Sequence, residues 1–195
     1  MFTGIIETLG VVSNMEREGG NLHFTIESEI TPEVHVDQSI AHNGVCMTVV
    51  ELKGDGQYVV TAIDETLQKT SLGELEIGSV INLERCMPAH GRFDGHIVQG
   101  HVDQVGKVVS VEEQDGSHLF KFEHGVGDNF TVEKGSICVN GVSLTAFNSS
   151  DSGFTVAIIP YTLENTCFKN LKAGDSVNLE FDIIGKYVAR MMQRS

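Results

Sequence analysis

The chain has 195 residues, 41% of them hydrophobic and 21% charged, with 21 glycines and only 3 prolines, the make-up of a turn-rich globular protein and not of a disordered one. Thirteen Lys and Arg face 27 Asp and Glu, so the formal charge is −14 and the surrounding field repels nucleic acid and anionic membrane. No apolar run nears the roughly 20 residues that cross a bilayer, the opening "MFTGIIETLG" lacks a basic segment ahead of an apolar one, and the expected location is the cytoplasm.

In chain order, "TGIIETLGVV" from Thr3 is followed by "HFTIES", then "SIAHNGVCMTV" at 39–49, the turn "GDGQ", "YVVTAI", "AIDET" at 62–66, "TLQKT" at 66–70 and "GSVINLE" at 78–84. Alternation over short β-branched runs bounded by Gly, Asn and Asp predicts antiparallel strands. Gly beside Asp or Ser supplies the positive φ of tight hairpins. After the joint "MPAHGRFDG" the chain repeats itself. "QGHVDQVGKVV" from Gln99, "SICVNGVSLTA" at 136–146, "DSGF", "FTVAII", "IIPYT" at 158–162, "TLENT" at 162–166 and "GDSVNLE" at 174–180 answer the first series in the same order. The offset is 97 in the middle, where six of the ten positions 39–48 are identical to 136–145, and 96 elsewhere.

Two units of about 90 residues follow, 1–87 and 96–183, each with five or six strands and so suited to a small closed barrel without exposed edges. The tail, 184–195, lies outside the repeat and predicts a helix. Ile184, Tyr187, Val188 and Met191 fall on one stripe, which either associates with another copy or packs on its own barrel.

Differences between the copies point to chemistry. Cys46 stands where the second copy has Ser143, each two residues before a matching Thr48 or Thr145, so thiol or hydroxyl and Thr share one strand face. Each pair forms a ligand wall or a nucleophile site; the simpler alternative is a small buried Cys and a Ser bonded to its own backbone. His101 replaces Ile5, with His96 five residues earlier. Taken as one strand, an odd separation places the two on opposite faces, against a shared metal, and makes His101 a candidate for ligand contact or proton transfer. Glu65, Thr66 and Thr162 offer hydrogen bonds to a polyol. Asp182 replaces Cys86 and either orients a base, meets a neighbouring chain or caps the tail helix. The four cysteines stand singly, which suggests reduced thiols and no zinc or redox dithiol. No phosphate loop or GxSxG elbow is present.

"MFTGI", "NGVCMTV" with "NGVSLTA", "GHIVQGHVD", "IPYTLENT" and "VNLEFD" together resemble the riboflavin synthase family over essentially the whole chain. The resemblance implies an all-β fold of two tandem six-stranded Greek-key barrels of lumazine-binding type plus a C-terminal helix, and a homotrimer built on those helices. It implies a transferase that needs no cofactor and no metal: two molecules of 6,7-dimethyl-8-ribityllumazine exchange a four-carbon unit, giving riboflavin and 5-amino-6-ribitylaminouracil, the last step of riboflavin biosynthesis. Association with lumazine synthase is implied as well. The alternative is a non-catalytic lumazine- or flavin-binding antenna protein of the same fold.

Carried over by motif, Cys46, His96, His101, Ser143, Thr145 and Asp182 are the catalytic candidates. In the first copy the ligand contacts are Gly4, Ile5, Ile6, Ser39, Met47 and Thr48, together with Thr61, Ala62, Ile63, Asp64, Glu65 and Thr66. In the second they are Gly100, Val102, Lys134, Leu144, Ile159, Pro160, Tyr161, Thr162, Leu163 and Glu164, with Cys46, His101, Ser143 and Thr145 serving both roles.

Overall fold

A computed structural model describes residues 1–193. The first half supplies β1 (Thr8–Glu18), β2 (Asn21–Glu27), β3 (Ser39–His42), β4 (Val45–Lys53), β5 (Gln57–Ala62) and β6 (Val80–Arg85), with a short helix α1 (Asp64–Lys69) between the last two. These strands close in the order β1-β2-β5-β4-β3-β6, in which the β3-β4-β5 meander returns beside β2 as a Greek key.

The second half repeats the series as β7 (Gln104–Gln114), β8 (Ser117–Glu123), β9 (Ser136–Val139), β10 (Val142–Thr145), β11 (Phe147–Ser150), β12 (Gly153–Ile158) and β13 (Ser176–Phe181), with helix α2 (Pro160–Asn165) before β13. Its sheet runs β10-β9-β13-β7-β8-β12-β11, the same ring cut at one place. The two ends of that sheet, β10 and β11, are consecutive in sequence and separated only by Ala146, so the equivalent of β4 is one strand broken in its middle. Asn148, in the left-handed region at φ 50°, takes up the turn. The one-residue slip in the repeat falls in the hairpin just beyond, where "GDGQ" of the first half becomes the shorter "DSGF".

Each half holds its own apolar core, that of the first around Phe24, Ile26, Ile40, Val60 and Leu83. In the second, Phe120, Phe122, Phe154 and Phe168 form an aromatic cluster, with Phe120 edge-on to Phe168 at 5.1 Å between centroids. Each ring so buried stabilises its half by about 2 kcal/mol. Buried His42 and Tyr58 replace this apolar pattern in the first half: Tyr58 Oη lies 2.9 Å from His42 Nε2, and Ile40 O accepts from Nδ1 at 3.0 Å. Their counterparts in the repeat are Val139 and Phe154.

The halves meet across a nearly symmetric seam. Asn82 Nδ2 donates to Asn140 O (2.8 Å) while its Oδ1 accepts from Cys167 N (2.7 Å). Asn178 does the same in reverse, to Asn43 O (2.9 Å) and from Ser71 N (2.7 Å). Gly44 lies against Gly141 between them, with no room for a side chain. All four asparagines are buried, so each amide satisfies backbone groups that would otherwise be stranded.

The tail forms α3 (Ile183–Met192); Arg194 and Ser195, the end of the expected tail unit, lie outside the described residues. Ile184, Tyr187, Val188 and Met191 are exposed on it. The helix is tied to its own half at the first turn, where Lys186 Nζ meets Asp103 at 2.6 Å. The tail is not the sole helix: α1 and α2, six residues each, are too short for the 3.6-residue period to show in a sequence.

Candidate active site

The segments "TGII" and "QGHV" sit in the same way in the two halves, and each lies against the other half. Thr3 and Gly4 are held by Glu84 on β6: its Oε1 accepts from Thr3 N (2.6 Å) and Thr3 Oγ1 (2.7 Å), its Oε2 from Gly4 N (2.9 Å). Gly4 O then accepts from Ser143 N of the second half at 2.8 Å. In mirror fashion Glu180 on β13 accepts from Gln99 N (2.6 Å), Gly100 N (2.9 Å) and His101 N (2.9 Å). Gly100 O accepts from Cys46 N of the first half at 2.9 Å. Gly4 and Gly100 are obligatory, because φ is +77° and +81° and a Cβ on either would stand 2.5 Å from the Cβ of Ser143 or Cys46.

Ser143 opens onto a cleft of about 880 Å³, the size of a drug-sized ligand site. Both halves wall it: Gly4, Ile5, Ile6 and Glu7 on one side; Ser143, Tyr161, Thr162 and Glu164 on the other. Glu27, Glu29 and Asp55 also line it, and among the described residues no lysine or arginine does, so the wall suits a neutral, hydroxyl-bearing ligand and opposes a phosphate.

At this cleft Ser143 Oγ and His96 Nδ1 lie 2.6 Å apart. The joint between the halves delivers His96, pinned by its own N–H to Thr3 O (3.1 Å). Burial pushes the imidazole below its ordinary value, and the Asp182 carboxylate draws it partly back up. In the neutral imidazole with its proton on Nε2, Nδ1 accepts a hydrogen bond from the Ser143 hydroxyl; with the proton on Nδ1 it donates one to the Ser143 oxygen. Asp182 serves twice, since its Oδ1 also caps α3 by accepting from Ile184 N (3.0 Å).

At the equivalent position of the first half the side-chain surroundings are apolar. Cys46 is half-buried at the start of β4, packed beside Phe2, Ala41, Val98 and Cys138. Thr48, two residues on, is exposed and pairs across β3 with Ser39. His101 stands exposed directly after Gly100, and Val102 packs on the first core. The stretch from His96 to His101 is a loop with a single bridge, Val98 to Phe2, so the strand alternation expected to separate the two histidines does not operate. They are parted by their anchors instead, His96 to Thr3 and Ser143, His101 to Glu180.

The remaining candidates divide by burial. Thr61 bonds His23 (2.8 Å), and Ile63, Asp64, Glu65 and Thr66 turn from β5 into α1, with Glu65 paired to Lys69. Ile159, Pro160, Tyr161, Thr162 and Glu164 make the same turn into α2. Met47 and Ala62 face the first core, and Leu144 and Leu163 pack on the second. Lys134 holds φ 64° and places Nζ 5.1 Å from the Phe147 ring centre; Thr145 is exposed. Among the described residues no group of His, Cys, Asp and Glu could hold a metal ion. Sequence reasoning missed Glu84 and Glu180. The signal was available, since "NLE" closes both copies, but a carboxylate inside a strand reads as a solvated face until its burial is known.

Comparison with known proteins matches the lumazine binding domain twice, at residues 3–86 and 99–182. The chain is 41% identical to riboflavin synthase of Bacillus subtilis (strain 168), over 100% of this chain and 91% of that protein. It is 40% identical to those of Actinobacillus pleuropneumoniae (98% and 90% covered) and Mycobacterium tuberculosis H37Rv (99% and 98%). The chain belongs to the riboflavin synthase family. Among solved folds, LumP complexed with riboflavin superimposes with a TM-score of 0.84 at 24% identity, covering 93% of this chain and 99% of that one. LumP with 6,7-dimethyl-8-ribityllumazine gives 0.82 at 23% identity, with the same coverage. For this family the tandem-barrel expectation holds, with the second ring interrupted at Ala146. Among the described residues no helix is long and apolar enough to cross a membrane.

Proposed function

We propose that the chain is a riboflavin synthase, a transferase that converts two molecules of 6,7-dimethyl-8-ribityllumazine into riboflavin and 5-amino-6-ribitylaminouracil by moving a four-carbon unit. The observation that carries this reading is the Ser143–His96 hydrogen bond at the edge of the cleft, present in one copy of a duplicated fold and absent from the other. Two identical reactants must play different parts, one losing a proton from its acidic C7 methyl group and the other accepting a nucleophile. A duplicated fold with unlike reacting positions meets that need.

In this reading residues 1–87 and 96–183 each bind one lumazine. Gly4 to Ile6, Ser143 to Thr145, Lys134 and Ile159 to Glu164 hold one; Ser39, Cys46 to Thr48, Thr61 to Thr66 and Gly100 to Val102 hold the other. Ser143 and His96, oriented by Asp182, move the proton on one side, and Cys46, Thr48 and His101 face the second ring. Stacking the two rings replaces a bimolecular encounter and supplies the larger share of the acceleration; the acid and base groups add roughly 10²- to 10⁴-fold. The exposed stripe Ile184, Tyr187 and Val188 supports a homotrimer joined through residues 184–195, with the Ser143 pocket of one chain facing the Cys46 pocket of the next. Docking on lumazine synthase would shorten the path of the substrate.

The test is incubation of the purified protein with the lumazine alone, without metal or cofactor, followed by riboflavin fluorescence. Riboflavin is expected. Tight lumazine binding without riboflavin would assign the chain to the non-catalytic binders instead.

A further inference from the structure

Two buried carboxylates, Glu84 and Glu180, take no part in the chemistry described above. They are 4% and 3% exposed, and every partner they have in the loops is a donor: Thr3 N, Thr3 Oγ1 and Gly4 N for one; Gln99 N, Gly100 N and His101 N for the other. An acceptor-only carboxylate is matched to such a set, whereas an amide would present its NH₂ to a backbone N–H. The loops they hold do not cover their own half. Gly4 O takes the N–H of Ser143 and Gly100 O that of Cys46, each across the seam.

We infer that Glu84 and Glu180 are positioning residues that act crosswise: Glu180 of the second half sets the Cys46 position of the first, and Glu84 of the first half sets the Ser143 position of the second. Each half is thereby completed by the other, and two sites that differ in chemistry are aligned by one device used twice. The inference rests on the proposed reading for its catalytic meaning, but its geometry is independent of turnover.

The experiment is amide hydrogen exchange on the full chain, comparing Glu84→Gln, Glu180→Gln and the unaltered protein, with thiol alkylation read by mass spectrometry. In Glu180→Gln the amides of Gly100, His101 and Cys46 should exchange, and the Cys46 thiol alkylate, about tenfold faster, while Ser143 is unchanged. Glu84→Gln should accelerate Gly4 and Ser143 and leave Cys46 unchanged. Cys138 and Cys167, both buried, should stay protected in both, whereas general loosening would expose all of them together. Acceleration confined to the half that carries the substitution, equal acceleration in both halves, or none, would overturn the inference. Should Glu180→Gln not fold, Glu180→Asp keeps the charge but withdraws it by one methylene, and the same crosswise pattern is expected. Loss of fold in both would also overturn it, since a group that only holds a loop is dispensable to the barrel. None of these readouts requires riboflavin to form, so failure here and failure of the synthase reading are separable.

Discussion

The first barrel closes and the second is cut at Ala146, yet the more instructive contrast lies in what each half keeps inside. The first buries the polar pair His42 and Tyr58 where the second has Val139 and Phe154. The second places its own polar pair at the half-buried edge of the cleft instead, in Ser143 and His96, where the first has Cys46. The two halves share one frame, and the joint between them, by bringing His96 to Ser143, makes them unequal.

The largest effect that breaks the comparison is expected at that joint. Ser143→Ala or His96→Gln should lower turnover by roughly 10²- to 10⁴-fold with a melting temperature nearly unchanged, read by steady-state kinetics beside calorimetry. Cys46→Ser, which gives the first half the second half's residue, should cost far less. Equal losses in the two halves would mean that the sites are chemically alike.

Next come the seam asparagines. Asn82→Ala strands the Cys167 N–H and the Asn140 carbonyl, and Asn178→Ala the Ser71 N–H and the Asn43 carbonyl. Each should destabilise by about 4 kcal/mol in denaturant unfolding. Values that agree to within about 1 kcal/mol would sharpen the symmetry of the seam.

The His42 pair gives a pH signature to the first half alone. Burial lowers His42 to about 4 from 6.5, and pushes the Tyr58 phenol well above its ordinary range. The folded state holds His42 neutral while the unfolded chain takes up a proton below pH 6.5. Stability is therefore full above that value and declines by about 3 kcal/mol as pH falls toward 4. His42→Val with Tyr58→Phe, the second half's own residues, should flatten that slope, measured by urea unfolding at a series of pH values.

Smallest are the paired charges. Glu7 accepts Arg85 N–H and the guanidinium, where Asp103 accepts Phe181 N–H and the Lys186 ammonium. Arg85→Ala should cost less than about 1 kcal/mol, and Lys186→Ala a similar amount plus fraying of α3 visible in its hydrogen exchange.

Much of this was legible in the sequence because the duplication supplied its own comparison. Strands, turns, both units and the contrast of Cys46 with Ser143 follow from aligning the chain on itself. What stayed hidden depended on contacts across the seam. Asn43 and Asn140 were readable as turn residues, but their carbonyls meet amides more than 50 positions away, and no local period encodes that. Glu84 and Glu180 were hidden for the same reason, since a carboxylate in a strand signals burial only through its partners. Asp182 was readable as a cap, as an orienting group or as a contact with a neighbouring chain; the structure shows the cap, through Ile184 N.

The most direct measurement of the central claim, that two lumazines meet in this protein, uses an equal mixture of unlabelled substrate and substrate carrying ¹³C in both methyl groups. Riboflavin assembled from two lumazines should appear unlabelled, with two labels and with four, in the ratio one to two to one. Riboflavin without the four-label species, or no riboflavin from a protein that binds the lumazine, would contradict it.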